Sequence, residues 1–370
     1  MKVAIFYNLH FGGAKRVVFE HTKGLMRLGH IVDVYTLDKE ADMFTPGLAA
    51  NIVYEYNYTP LSIPIPILSR MLLDLQVFLK LKNLHKKIAR DIDSRNYDIV
   101  LVHTDTYTQA PFILRFLRTK NIYFCLEPLR MVYEHSLKIS NQLGLLNRTY
   151  ELINRAIRRK IDQENARSAD FSLAISLFGR EYMINAFDLY PKISYLGVDQ
   201  TVFKPLKIKK KNQILFVAER EYIYGYDLAE EAVKLIPENK RPKLKIVFGT
   251  KKDKRISDEE LIKIYNESLV TLSLSRFDTF GLVPLESMAC GTPVIALNVA
   301  GYRETILNNK TGFLTEFDSG EIAGKITRFI DDPLLSVEMG KKGRKWIEDN
   351  WSWRKILRNL EILLKESISS

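Results

Sequence analysis

Short apolar runs alternate with amphipathic segments along nearly all of the 370 residues, and no other feature narrows the fold as much. MKVAIFYN (1–8) reads as a first strand, and FGGAKRVVFEHTKGLMRLGHIVDVYTL (11–37) reads as a Gly-rich loop, an amphipathic helix and a second strand. Strands linked by helices pair in parallel, which makes an α/β architecture with parallel sheets the expected class. With 46% hydrophobic content the chain is long enough for two domains, each with its own core.

The stretch YLGVDQTVFKPLKIKKKNQ (195–213) is where the chain is expected to divide. Residues 199–205 read as a turn, and 207–211 as a charged edge before the strand QILFVAE (213–219). Cys125 and Cys290 give no disulfide framework and no metal-ligand spacing, and read as buried thiols in a reducing cytosol. The opening strand has no basic n-region or cleavage site, so no signal peptide is expected. The best candidate for a membrane span, PLSIPIPILSRMLLDLQVFLKL (60–81), is broken by Pro60, Pro64, Pro66, Arg70 and Asp74.

Chemistry is most concentrated in DTFGLVPLESMACGTPV (278–294), where Asp278 and Glu286 stand around a Phe-Gly turn. Pro284 suits a first helical turn and Gly291 a C-terminal stop, so residues 283–290 are expected to be helical, with the turn exposed before them. The amides of Phe280, Gly281 and Leu282 then sit where a helix start attracts anions. Glu286 can accept two hydroxyls at once, as a ribose diol requires. Together these suit a polyhydroxylated, phosphate-bearing ligand. The residues alone equally allow Asp278 or Thr279 to cap the helix and Glu286 to be a surface charge.

The pattern continues through Gly291-Thr292-Pro293-Val294, then Gly301 and Glu304, then Thr311-Gly312-Phe313-Leu314. This ordered run resembles the signature of glycosyltransferase family 4, the retaining group 1-type enzymes, in which two acidic residues bracket a Phe-Gly turn. Gly12 and Gly13 match the family's loop after the first strand, and 97–103, 123–130, 172–183 and 195–205 fall in family order. The resemblance implies the GT-B fold, two Rossmann-like domains facing across a central cleft. Residues 1–195 correspond to the acceptor-side domain and 196–350 to the nucleotide-sugar donor domain. A terminal helix, 351–370, is expected to return to the first domain with Trp351 and Trp353 as anchors.

Roles follow from the same resemblance. Glu286 is expected at the donor ribose hydroxyls, and Asp278, where the family usually has Glu, at hydroxyls of the transferred sugar. The missing methylene shortens its reach by about 1.5 Å. The backbone at Phe280, Gly281 and Leu282 meets the diphosphate or the sugar, and Gly12 and Gly13 line the opposite wall. His103 matches a family histidine near the reacting sugar and stands at what reads as a strand's C-terminal end. Glu304 orients the turn or the ligand, or is a simple helix-start Glu. Glu127 and Arg130 are expected to shape the acceptor side, with Glu127 a candidate base.

One stretch departs from the family. Where relatives carry an Arg and, five residues on, a Lys that neutralise the donor diphosphate, this chain has Glu219 and Tyr224. A carboxylate about 4 Å from a phosphate charge costs roughly 4 kcal/mol at an effective dielectric of about 20. Three accounts stay open: Arg220 swings into the site, Lys15, Arg16 or Arg276 supplies the charge, or the donor site is weak or lost. The chain also runs from KLKIVFGT (243–250) almost directly into SDEELIKIY (257–265), where relatives insert a further helix and strand that frame the base.

Lys and Arg number 55 against 44 Asp and Glu, a basic balance that needs a partner. No helix-turn-helix, zinc or aromatic-sheet signature accompanies it, so nucleic acid is not expected. Residues 61–92 combine apolar spacing with Arg70, Lys80, Lys82, Lys86, Lys87 and Arg90, and Arg148, Arg155, Arg158, Arg159 and Lys160 mark a second basic helix. These suit an anionic membrane face, or two solvated helix faces over a core. A Rossmann dehydrogenase would need Gly-x-Gly-x-x-Gly after the first strand, and FGGAKR has only adjacent glycines.

The expected activity is a retaining, metal-independent glycosyltransferase without a cofactor, moving a sugar from a UDP- or GDP-sugar to a hydroxyl of a glycan or lipid-linked acceptor. Cell-surface polysaccharide or glycoconjugate synthesis at the cytoplasmic, inner membrane face is the expected setting. The alternative is a non-catalytic GT-B binding or partner module with an impaired diphosphate site.

Overall fold

The computed structural model describes residues 1–37, 42, 44–134, 144–247 and 256–370. The loop read from 248 to 255 lies outside them. Two compact units emerge: the first holds Met1–Ile175, Gly179–Ser194 and Leu357–Ser370, the second Ser176–Phe178 and Tyr195–Ile356. The terminal helix thus joins the first unit from Leu357 rather than from 351.

The first unit is built on strands β1 (Lys2–Asn8), β2 (Ile31–Thr36), β3 (Ile52–Glu55), β4 (Ile99–Asp105), β5 (Asn121–Cys125), β6 (Phe171–Ala174) and β7 (Lys192–Ile193). They form a seven-stranded sheet in the order β3-β2-β1-β4-β5-β6-β7, every pair parallel. The apolar runs are unbroken because central parallel strands are covered on both faces: Val3 through Phe6 and Ile99 through Val102 have no exposed surface. Helices α1 (Gly13–Arg27), α2 (Pro66–Gln76), α3 (Lys82–Asp93), α4 (Arg130–Tyr133), α5 (Leu145–Arg167) and most of α6 (Leu177–Phe187) complete the unit. Pro66 opens α2 as a first-turn proline should, and Val77–Leu81 between α2 and α3 is wound as a π-helix.

Strands β8 (Gln213–Val217), β9 (Lys243–Val247), β10 (Val270–Ser273), β11 (Val294–Leu297) and β12 (Gly312–Thr315) make the second sheet. Its order is β12-β11-β10-β8-β9, again parallel throughout. Helices α7 (Tyr226–Leu235), α8 (Asp258–Glu267), α9 (Leu282–Ala289), α10 (Tyr302–Thr305), α11 (Ser319–Asp331), α12 (Pro333–Asn350) and α13 (Trp353–Ser369) follow in chain order. Phe216, Leu272, Ile295, Phe313, Ile326 and Phe329 form its core.

Helix α13 packs onto the first unit where Gly24 leaves room: a Cβ there would stand 2.1 Å from Leu357 Cδ1. His30 Nε2 meets Glu361 Oε1 at 3.0 Å. Trp351 and Trp353, expected to anchor this helix on the first domain, belong to the second unit instead. There Trp351 sits edge-on to Tyr195 at 5.2 Å and to Phe280 at 5.6 Å.

Strand order reverses between β1 and β4 in the first sheet and between β8 and β10 in the second. Open parallel sheets bind ligands outside the carboxyl ends of the strands at such points. The segments there begin at residues 9 and 106 in the first unit, and at 218 and 274 in the second.

Candidate active site

In the second unit the chain leaves β10 and turns at Asp278 into α9. Asp278 Oδ1 accepts from the amides of Phe280 at 3.0 Å and Gly281 at 2.9 Å. Its Oδ2 accepts from the Tyr302 hydroxyl at 3.1 Å, and its carbonyl from the Gly301 amide at 3.0 Å. Two of the three amides expected to face an anion therefore already serve the turn. The expected exposure of Phe280 is also corrected, since the ring is 2% exposed, covered by Trp351 and Tyr195. Gly281, at φ +97°, adopts a left-handed conformation, and a Cβ there would stand 2.9 Å from the Tyr302 ring, so a larger residue is excluded on both counts.

The helix starts at Leu282, one residue earlier than its pattern suggests. The amides of Leu282 and Val283 are first-turn donors without an intrahelical acceptor, and Pro284 contributes none. Glu286 is the fifth helical residue, 8% exposed, and its Oε2 accepts from the buried Tyr265 hydroxyl at 3.1 Å. Burial pushes the neighbouring Cys290 thiol well above its ordinary range, with the Glu286 carboxylate adding to the effect.

Glu304, two residues beyond Tyr302 on α10, has its own set of partners. Its carboxylate accepts from the Leu177 amide at 2.9 Å, the Phe178 amide at 3.0 Å and the Tyr195 hydroxyl at 3.2 Å. It caps the start of α6, a structural role beside the ligand contact expected of it.

The cation question is narrowed by geometry. Glu219 is 8% exposed, and Tyr224 packs against the core of the second unit. Arg276 forms a two-pronged pair with Asp227, at 2.8 and 2.6 Å, and lies 3.6 Å above the Tyr222 ring. Arg220 is exposed at the end of the β8 segment, its guanidinium 5.6 Å from the Tyr226 ring. Lys210, read as part of a charged edge, instead points inward to Ser268 O at 2.6 Å and Thr292 Oγ1 at 3.0 Å. Burial lowers its pKa to about 8.

In the first unit Gly12, at φ +154°, precedes α1, and Gly13 is the first helical residue. Lys15, two residues on, is fully buried and pairs with Asp42 at 2.9 Å. Arg16 lies 4.1 Å above the Phe44 ring. His103 is corrected: β4 continues to Asp105, and the imidazole has no exposed surface. Its Nε2 is 3.4 Å from His21 Nδ1, beside Phe124. Burial and the neighbouring His21 hold its pKa well below the usual value, and burial takes His21 to about 3. Such a ring cannot reach a sugar hydroxyl in this conformation. Glu127 and Arg130 form an ion pair at 2.7 Å after β5; Asp162 accepts from the Leu129 amide of that segment at 3.4 Å and from the Ala110 amide, in the segment after β4, at 2.9 Å.

Asp91 and Asp93, an Asp-x-Asp pair at the end of α3, are both in structural use. Asp91 holds Tyr56 and Arg95, while Asp93 accepts from the Arg118 and Thr119 amides. Among the described residues no group of three His, Cys, Asp or Glu side chains is placed to hold a metal ion.

The structure therefore gathers Asp278, Phe280, Gly281, Leu282 and Glu286 at one helix start. Sequence reasoning missed Tyr302, Tyr265 and Ser176, whose hydroxyl donates to Thr279 O at 2.6 Å. No local pattern signals these partners.

Two parallel sheets flanked by helices, with the acidic turn after β10, define a GT-B protein. Anabaena Alr3699/HepE, solved in complex with UDP, matches with a TM-score of 0.70 at 15% identity, over 99% of this chain and 100% of that one. The family model for Glycosyltransferase Family 4 matches residues 11–201, and that for Glycosyl transferases group 1 matches 253–346. The chain belongs to Glycosyltransferase Family 4. It is 37% identical over 90 residues to alpha-1,3/1,6-mannosyltransferase ALG2 of Dictyostelium discoideum, 24% of this chain and 21% of that one. It is 38% identical over 119 residues to the capsular polysaccharide biosynthesis glycosyltransferase CapM of Staphylococcus aureus, 31% of each. These alignments span less than a third of either relative.

Proposed function

We propose that this protein is a retaining, metal-independent glycosyltransferase that moves a sugar from a UDP- or GDP-sugar to a hydroxyl of a glycan or lipid-linked acceptor. Family membership supports sugar transfer, and the UDP complex of HepE supports a nucleotide-linked donor. Likeness to CapM supports a cell-surface polysaccharide or glycoconjugate product. The setting we assign is the cytoplasmic side, peripheral to an anionic inner membrane face.

The observation that carries this reading is the helix start after β10, where a half-buried Asp278 and a nearly buried Glu286 share one turn and its successor. Glu286, oriented by Tyr265, accepts the ribose hydroxyls. Asp278 offers Oδ2 to a sugar hydroxyl in exchange for Tyr302, while Oδ1 keeps the turn closed. The Leu282 and Val283 amides and Arg220 are the donors assigned to the diphosphate. In the transfer itself the acceptor oxygen bonds to the anomeric carbon as the bond to the diphosphate oxygen breaks. The acceptor proton passes to the departing diphosphate on the same face. Positioning and stabilisation of that leaving group supply the rate.

The test is a panel of UDP-, GDP-, ADP- and dTDP-sugars, read by thermal stabilisation and by release of free nucleotide. One donor should stabilise and turn over, and Glu286→Ala should abolish both. Indifference to every donor would favour the non-catalytic module.

A further inference from the structure

Two neighbouring helices of the first unit present apolar side chains to solvent. On α2 and the π-helical turn, Leu68, Met71, Leu75 and Leu79 are 45%, 47%, 54% and 56% exposed, at spacings that place them on one face. On the first half of α5, Leu145 and Leu146 are 81% and 83% exposed, and Leu152 and Ile153 are each 55% exposed. The helices are tied together beneath these stripes. Arg70 pairs with Glu151 at 2.6 Å, and Asp74 accepts from Tyr150, Asn154 and Arg158.

Charge is sorted on the same helices. Asp74, Glu151 and Asp162 are buried. Asp91 pairs with Arg95 and Glu164 with Arg115, while Asp93 is held by backbone amides. Every carboxylate of α2, α3 and α5 is thus turned inward or neutralised, whereas Lys80, Arg148, Arg159 and Lys160 are exposed among or beside the apolar residues. Contiguous apolar surface of this kind marks a binding face. A second copy would bring like charges together, whereas an anionic bilayer offers hydrocarbon for the leucines and phosphates for the cations.

We propose that the α2–α5 face docks on an anionic lipid bilayer, with Leu68, Met71, Leu75, Leu145 and Leu146 entering the acyl boundary and the neighbouring cations meeting headgroup phosphates. This deepens the membrane setting assigned above and uses no residue of the donor site. Among the described residues no helix is long and apolar enough to cross a membrane, and in this arrangement the two helices lie along the surface.

Flotation of the full chain with vesicles of phosphatidylcholine, and of phosphatidylcholine mixed with phosphatidylglycerol, tests the proposal. Binding should require the anionic lipid and weaken with salt. The double substitution Leu145→Glu and Leu146→Glu should lower it about tenfold or more, and Arg148→Ala with Lys160→Ala should reduce its salt dependence. Melting temperature and donor-induced stabilisation serve as fold controls and should not change. Absence of binding, equal binding to neutral vesicles, or full binding by the double variant would overturn the proposal. So would a lipid-free dimer that the double variant abolishes. Failure of the transferase reading would appear separately, as a missing response to donors.

Discussion

The Tyr302 hydroxyl donates to Asp278 Oδ2 at 3.1 Å, while Asp278 Oδ1 holds the Phe280 and Gly281 amides at 3.0 and 2.9 Å. The two oxygens of one carboxylate thus differ in commitment. Oδ1 fixes backbone, and Oδ2 meets a side-chain hydroxyl that a sugar hydroxyl can replace. Tyr302→Phe should cost about 1 kcal/mol of stability and leave the donor response intact. Asp278→Ala should cost about 1–3 kcal/mol and lose that response. Urea unfolding with and without donor measures both.

Glu304 provides the contrasting case. Its carboxylate caps the Leu177 and Phe178 amides, so Glu304→Ala should destabilise the protein by about 1–2 kcal/mol. Nucleotide affinity measured calorimetrically on the folded variant should stay within about threefold of the parent. A large loss of affinity without loss of stability would restore Glu304 to the donor site.

Gly301 packs its backbone against the Phe-Gly turn. A Cβ there would lie 2.5 Å from Phe280 Cα and 2.6 Å from Phe280 N. Gly301→Ala should therefore cost about 1–3 kcal/mol by overpacking. Because the clash falls on the turn itself, donor-induced stabilisation should fall as well.

Acid should weaken the first unit. Burial lowers His21 to about 3 and His85 to about 4 from 6.5, and leaves His103 well below 6.5. The folded state keeps these rings neutral while the unfolded chain takes up protons below 6.5. Their contribution is therefore full above that pH and declines as pH falls toward the folded values. Asp162 runs the opposite way. Burial raises it from 3.8 to about 7, so its contribution is greatest below 3.8 and is lost as pH rises through 7. Three imidazoles against one carboxylate predict a net loss of stability between about pH 6.5 and 4. His85→Phe, which keeps an aromatic ring against Phe6 at 5.1 Å, should flatten the slope in urea unfolding.

Much of the architecture was legible because central parallel strands must be apolar on both faces. The run at 213–219 became β8 (Gln213–Val217), and Pro284 and Gly291 located α9 to within a residue. Contacts distant in sequence were not legible. Tyr302 lies 24 positions beyond Asp278, and Ser176 lies 103 before Thr279. Phe280 looked exposed because its covering rings, Tyr195 and Trp351, come from other segments. His103 looked like a strand end because the pairing of Asp105 with Asn8, which carries β4 past a register shift against β1, has no sequence mark. Lys210 looked solvated because charge runs usually are, yet Ser268 O and Thr292 Oγ1 draw it inward.

The π-helical turn at Val77–Leu81 gives one continuous rod two rotational phases. An α-helix advances about 100° per residue, so the extra residue offsets everything before the turn from everything after it. Deleting one residue there would restore uniform winding yet leave Leu68, Met71 and Leu75 close to their present phase relative to α3, because the wider turn already absorbs the extra residue, whereas rewinding the same residues as a regular α-helix would swing them by roughly a quarter of a revolution. The orientation of that stripe is therefore set by the winding of one turn as much as by the identity of its residues.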